Sequence, residues 1–126
     1  MKKIMVVDDD EDHRFSIRLA LESAGSDKFN VVTVNSGEEC IEFLKTDEHI
    51  DLIILDVMMP GMSGWEVFDK IIGNPGWKDI PVVFLSARLD RLAENAGEFF
   101  GKDYINKPVE NQELIKRIEK VLENKN

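Results

Sequence analysis

The sequence predicts a doubly wound parallel α/β sheet in one domain, and three features predict it. Five short apolar runs alternate with helical patterns along the 126 residues, which is how successive βα units read. One of those runs, Leu52-Ile53-Ile54-Leu55, has no polar alternation, as expected of a central strand covered on both faces. The length suits a single hydrophobic core and leaves little room for a second, so one domain is expected over residues 1–126.

The elements follow in order. Strands are read at Lys3 to Val7, Phe29 to Val34, Leu52 to Leu55, Pro81 to Leu85 and, more weakly, Asp103 to Ile105. After the first strand, Ile17, Ala20, Leu21 and Ala24 recur at helical spacing and stop at Gly25, a residue type that favours a helix C-cap. Ser36-Gly37-Glu38-Glu39 and Ser63-Gly64-Trp65-Glu66 both place Glu three residues after Ser, the capping-box spacing, and mark the second and third helix starts. Trp65, Phe68, Ile71 and Ile72 form the third helix's apolar stripe. Leu89, Leu92, Ala93 and Ala96 suggest a fourth helix, and Leu114, Ile115, Ile118, Val121 and Leu122 a fifth. Gly73-Asn74-Pro75-Gly76-Trp77 is the clearest loop.

Composition narrows the function classes. The formal net charge is -9, from 16 basic and 25 acidic residues, which argues against direct nucleic-acid binding and fits a cation or a basic partner surface. No apolar run approaches the roughly 18 residues of a membrane span, and acidic residues follow Met1-Lys2-Lys3 too early for a signal peptide. A cytoplasmic protein without a membrane partner is expected. Cys40 is the only cysteine, so it cannot form an intramolecular disulfide and is read as core packing. His13 and His49 lack metal-site spacing and are read as surface residues.

Each candidate site residue lies at or just past a strand's carboxyl end, the edge where open α/β sheets bind ligands. Asp8-Asp9-Asp10-Glu11-Asp12 follows the first strand, Asp56 the third, Ser86 the fourth and Lys107-Pro108 the fifth. Asp10, Glu11 and Asp12 are assigned to capping and to the first turn of a helix. Asp8 and Asp9 are assigned to function with Asp56, against the plainer reading of each as a cap or turn residue. Two carboxylates about 4 Å apart repel by roughly 1 kcal/mol in water and about 4 kcal/mol at an effective dielectric of 20. A hard divalent cation relieves this, and Mg²⁺ characteristically combines one or two carboxylates with waters and phosphate oxygens. Ser86 alone reads equally well as a helix cap, and Lys107 alone as a solvated lysine. Together they offer a hydroxyl and a cation to a phosphoryl group on the same rim.

These residues resemble a known family, the response-regulator receiver domains of two-component signalling. The resemblance rests on Ile4-Met5-Val6-Val7-Asp8-Asp9, on Leu55-Asp56-Val57-Met58-Met59-Pro60-Gly61-Met62-Ser63-Gly64, on Phe84-Leu85-Ser86-Ala87 and on Asp103-Tyr104-Ile105-Asn106-Lys107-Pro108. It implies a flavodoxin-like fold with strand order 2-1-3-4-5. It also implies that Asp56 is the phosphoacceptor, taking a phosphoryl group from the phosphohistidine of a sensor histidine kinase or phosphotransfer protein. Asp9 and Asp56 would ligate Mg²⁺ directly, Asp8 through water, and Met58 through its backbone carbonyl, with Mn²⁺ or Ca²⁺ as substitutes. Lys107 would pair with phosphoryl oxygens, Ser86 would move to hydrogen-bond one of them, and Tyr104 would turn inward as Ser86 moves. The plainer reading of Tyr104 is a half-buried edge-strand tyrosine. Such a protein phosphorylates and dephosphorylates itself and is not an enzyme with an external substrate.

The sequence departs from the family pattern in two places. Ser86 and Lys107 are 21 positions apart, one fewer than the family leads one to expect, and Phe100-Gly101-Lys102-Asp103-Tyr104 replaces its usual Gly-Ala-Asp-Asp-Tyr. Both bear on the surface where many receivers dimerise or meet their outputs, so a phosphorylation-dependent homodimer and the downstream partner stay open. Arg88 holds a position that often tunes aspartyl-phosphate lifetime. Nothing after Glu123-Asn124-Lys125-Asn126 reads as an output domain, which leaves a single-domain receiver or a piece of a longer chain. Two other functions are weighed: a pseudo-receiver that binds partners without phosphorylation, and a small haloacid-dehalogenase-like phosphatase with Asp8 as nucleophile. A flavodoxin lacks support, since no Ser/Thr/Gly-rich phosphate loop follows the first strand.

Overall fold

The structure is a computed structural model describing residues 1–25, 27–86 and 103–123. Its elements are β1 (Lys2–Val7), α1 (Glu11–Glu22), β2 (Phe29–Val34), α2 (Gly37–Leu44), β3 (Leu52–Leu55), α3 (Gly64–Ile72), β4 (Val82–Ser86), β5 (Asp103–Asn106) and a helix at Asn111–Glu123, here α4. All strand pairs are parallel, and the five-stranded sheet runs in the order β2-β1-β3-β4-β5. This is the flavodoxin-like arrangement that the sequence resemblance implies. The helix expected around Leu89, Leu92, Ala93 and Ala96, and Arg88 beside it, lie outside the described residues.

The three central strands carry uninterrupted apolar runs, Ile4 to Val7, Leu52 to Leu55 and Val82 to Leu85, because both of their faces are covered. In β1, Ile4 and Val6 join Ile17, Ala20, Leu21, Leu114 and Ile118 of α1 and α4, while Met5 and Val7 join Cys40, Leu44, Val67, Phe68 and Ile71 of α2 and α3. Successive side chains of a strand point to opposite faces, so β3 divides the same way: Leu52 and Ile54 go to one layer and Ile53 and Leu55 to the other. Cys40 is fully buried in the α2–α3 layer, as expected from its isolation in the sequence.

Local chemistry sets the helix starts. Asp10 caps α1 by accepting the Asp12 and His13 N–H groups, and Glu11 and Asp12 occupy the first turn. At α3 the capping box is complete, with Ser63 Oγ accepting from Glu66 N and Glu66 reaching back to Ser63 N. At α2 only half of the expected box forms: Ser36 Oγ accepts from Glu39 N, but Glu39 reaches one residue further back, to Asn35 N.

Two helices differ from the periodicity. Helix α1 ends at Glu22 with Ser23 as its cap, whose hydroxyl donates to Ala20 O, and Gly25 at φ 138° makes the reversal two residues later. In α3 the inward stripe is Val67, Phe68 and Ile71, with Trp65 partly buried, and Ile72 faces outward. Ile72 directly follows Ile71 and is turned about 100° from it around the helix, off the buried face.

Candidate functional site

Strand register builds the site. Val7 pairs with Leu55 across β1 and β3, so the next residues, Asp8 and Asp56, leave the sheet side by side, with strands about 4.8 Å apart. The Asp56 N–H donates to Val7 O and the Asp8 N–H to Val34 O, which extends the ladder to the rim. Ser86 ends β4 opposite Asn106 of β5, and the Lys107 N–H donates to Ser86 O at 2.8 Å. The Lys107–Pro108 peptide bond is cis.

The sequence-predicted carboxylates come together. One oxygen from each of Asp8, Asp9 and Asp56 lies within 4.8 Å of the others. Asp8 is 1% exposed and Asp56 7%, whereas Asp9 faces solvent. Both Asp8 carboxylate oxygens are engaged: Oδ1 accepts the Asp10 N–H at 2.9 Å and Oδ2 accepts from Lys107 Nζ at 2.6 Å. Asp56 Oδ1 accepts the Met58 N–H at 3.2 Å. Burial pushes the Asp56 carboxyl above the usual carboxylate range and Asp8 adds to the rise, against the opposing pull of Lys107, the Met58 N–H and Ser86.

The loop after Asp56 is held close to it. At Gly64, on the first turn of α3, an added Cβ would overlap the Asp56 carbonyl oxygen and lie 2.8 Å from Val57 Cα, so only glycine lets α3 begin there. Its N–H donates to Val57 O at 3.0 Å. Gly61 adopts φ 76°, the left-handed region that glycine supplies without strain. The Met58 side chain points into solvent.

Ser86 is 1% exposed. Its hydroxyl lies near enough to Asp56 to favour the carboxylate, without making a hydrogen bond of regular geometry to any described group. Tyr104 is partly buried on edge strand β5, as the plainer reading has it: its ring stacks on Phe84, with centroids 5.1 Å apart, and meets Trp65 at 5.9 Å. Asp103, which follows the departure at Phe100-Gly101-Lys102, accepts Arg117 Nε at 2.8 Å and Nη2 at 2.5 Å, while Nη2 also donates to Tyr104 O.

Two residues that sequence reasoning left out join the site. His13 is not simply a surface residue: its Nδ1 lies 3.0 Å from Lys107 Nζ and 3.6 Å from Asp8 Oδ2. Arg14 Nη1 donates to Asp8 O at 2.7 Å. The signal was positional, since a helix beginning directly after the Asp8-Asp9 pair turns its first residues onto the same rim. His49 is exposed as expected, and it pairs with Asp51 at 2.7 Å, far from this edge.

Comparison with known proteins agrees with this geometry. The profile of the response regulator receiver domain matches residues 4–119. The chain is 37% identical over 123 residues to the transcriptional regulatory protein CpxR of Escherichia coli, covering 97% of this chain and 50% of that protein. It is 36% identical over 124 residues to a probable cyclic di-GMP phosphodiesterase of Vibrio cholerae, covering 97% and 27% respectively. The chain thus spans half or less of these relatives' lengths. Among solved structures, the N-terminal domain of a response regulator receiver protein from Methanoculleus marisnigri is 37% identical with a TM-score of 0.76, covering 97% of each chain. Vibrio cholerae chemotaxis protein CheY4 is 26% identical with a TM-score of 0.85, covering 96% of this chain and 98% of that one. Its matched residues, strand order and carboxylate rim make this chain a member of the response-regulator receiver domain family of two-component signalling.

Proposed function

We propose that the chain is a phosphoacceptor receiver in which Asp56 accepts a phosphoryl group from the phosphohistidine of a sensor kinase or phosphotransfer protein. The observation that carries this reading is a buried Asp56 carboxylate gathered with Asp8 and Asp9, with the Lys107 ammonium on the same rim. An Asp56 oxygen attacks phosphorus, the P–N bond breaks, and its electron pair leaves on the donor imidazole.

The donor set fits Mg²⁺, because every group offered is a hard oxygen and the clustered carboxylates repel one another without a counterion. Asp9 and Asp56 would hold it directly, Asp8 through water, and the Met58 carbonyl would complete the protein's share. When bound, Mg²⁺ supplies positive charge that offsets the carboxylates and the phosphoryl oxygens. Lys107 then pairs with one phosphoryl oxygen and the Ser86 hydroxyl donates to another. Movement of Ser86 and the packing of Tyr104 on Phe84 and Trp65 report phosphorylation to the β4–β5 surface. The whole of residues 1–126 serves as one receiver domain that turns over no external substrate. No described helix is long and apolar enough to cross a membrane, and we place the protein in the cytoplasm, beside a kinase. Its output and any homodimer depend on surfaces outside this site.

The phosphatase alternative needs Asp8 as nucleophile, yet both Asp8 oxygens are taken by Asp10 N and Lys107 Nζ. Intact mass after incubation with Mg²⁺ and acetyl phosphate separates the readings. A Mg²⁺-dependent adduct on wild type that is lost in Asp56→Asn supports the receiver. An adduct lost only in Asp8→Asn supports the phosphatase, and no adduct together with no beryllofluoride binding supports the pseudo-receiver.

A further inference from the structure

Resting on the reading of Asp56 as phosphoacceptor, we propose that His13 is a positioning residue that parks Lys107 on Asp8, off Asp56, and thereby slows phosphoryl uptake. The geometry is specific. An ammonium carries three donors and no acceptor; one Lys107 donor goes to Asp8 Oδ2 at 2.6 Å and a second to His13 Nδ1 at 3.0 Å. The Lys107 ammonium can only donate, so in this contact His13 Nδ1 is the acceptor. Nε2 in turn points toward Asp10 Oδ2 at 3.9 Å.

The backbone from which the ring projects is fixed because His13 is part of the α1 cap. His13 N–H donates to Asp10 Oδ1 at 3.2 Å, and Asp10 is the N-cap. The His13 backbone thus cannot shift toward Lys107 without disturbing the start of the helix. Lys107 is 12% exposed in its side chain and His13 44%, so the imidazole flanks the ammonium from the solvent side. Both line a cavity of about 490 Å³ between α1 and α4, with Ser16, Pro108 and Asn111. Among the described residues the close ion pair of Lys107 is with Asp8 and not with Asp56. Turning Lys107 toward a phosphoryl group on Asp56 draws Nζ away from Asp8 Oδ2 and His13 Nδ1, so the His13 contact favours the unphosphorylated arrangement.

The test compares wild type, His13→Leu, His13→Ala, His13→Asn and Asp56→Asn, with Mg²⁺ and acetyl phosphate. The readouts are the rate of adduct formation by intact mass and beryllofluoride affinity by calorimetry. His13→Leu and His13→Ala are each expected to take up phosphate about fivefold faster and bind beryllofluoride about fivefold tighter, the scale of one lost hydrogen bond. His13→Asn sets an amide oxygen where Nδ1 stood and is expected within about twofold of wild type. A merely structural role would slow uptake instead. An unchanged or slower rate in the variant that folds, by urea unfolding, overturns the assignment, and so does a His13→Asn that moves with the other two. If wild type takes up no Asp56-dependent adduct, the phosphoacceptor reading falls and this inference with it. An adduct that forms equally fast in wild type and His13→Leu overturns only the role of His13.

Discussion

Lys107 Nζ lies 2.6 Å from Asp8 Oδ2, so the cation beyond β5 is held by the carboxylate beyond β1, across the end of the sheet that also bears Asp56. The pair is nearly buried, with side-chain exposures of 12% and 2%. It stands in for the charge compensation that three gathered carboxylates require.

Removing that cation should therefore be felt most when no metal is present. Lys107→Met leaves Asp8 buried beside Asp9 and Asp56 with no ammonium, and a loss of about 3 kcal/mol is expected in EDTA. Mg²⁺ should recover part of this. Wild type itself should gain about 2.7 kcal/mol when Mg²⁺ reaches roughly 100 times its dissociation constant. Urea midpoints in EDTA and in Mg²⁺ measure both; identical midpoints for wild type in the two conditions would contradict the metal site.

The raised Asp56 carboxyl gives stability a definite pH sign. Its folded value lies above the unfolded one because of burial and the neighbouring Asp8. The protonated form is therefore favoured by folding, and this contribution is fully present below about pH 4. It is lost as pH rises through the folded value. Asp56→Asn removes the cost of ionisation. In EDTA it should stabilise the fold at pH 7 by roughly 1 kcal/mol or more, the scale of two carboxylates about 4 Å apart in water. That advantage should shrink toward zero below pH 4. An Asp56→Asn stability gain that is the same at pH 3.5 and pH 7 would show that the carboxylate is not the cause.

Gly64 is where α3 meets the backbone of Asp56. Its Cβ position overlaps Asp56 O, so Gly64→Ala should cost about 1–3 kcal/mol by overpacking and should slow adduct formation by displacing Asp56. At Gly76 an added Cβ would meet only Asn74 Oδ1 at 3.3 Å; Gly76→Ala serves as the control and should leave adduct formation intact.

Cys40 tests the integrity of the layer beneath the site. Burial pushes its thiol up to about 12, so the native protein should not react with a thiol reagent at pH 8, and reaction should become complete in denaturing urea. Rapid labelling of the native protein would mean that the α2–α3 layer is open.

Much of this was legible in the residues themselves. The uninterrupted apolar run Leu52–Leu55 announced a strand covered on both faces, and Asp8, Asp9 and Asp56 converge because their strands are parallel and in register. Strand order was not legible from periodicity, which carries no information on which strands are neighbours; it came through the family resemblance. The outward turn of Ile72, the early end of α1 and the half-formed box at Ser36 depend on packing and on competing hydrogen bonds, which spacing alone does not encode. His13 was missed because its partner, Lys107, is 94 positions away in sequence. Its role exists only once α1 and the β5 rim are brought together.

The most direct measurement maps the phosphoryl group to a residue. After incubation with acetyl phosphate and Mg²⁺, borohydride reduces an aspartyl phosphate to homoserine, which peptide mass spectrometry locates. Homoserine at residue 56, formed with Mg²⁺ and absent with EDTA, is the expected result. Homoserine at residue 8, or at no residue while beryllofluoride also fails to bind, would contradict the assignment of Asp56 as the phosphoacceptor.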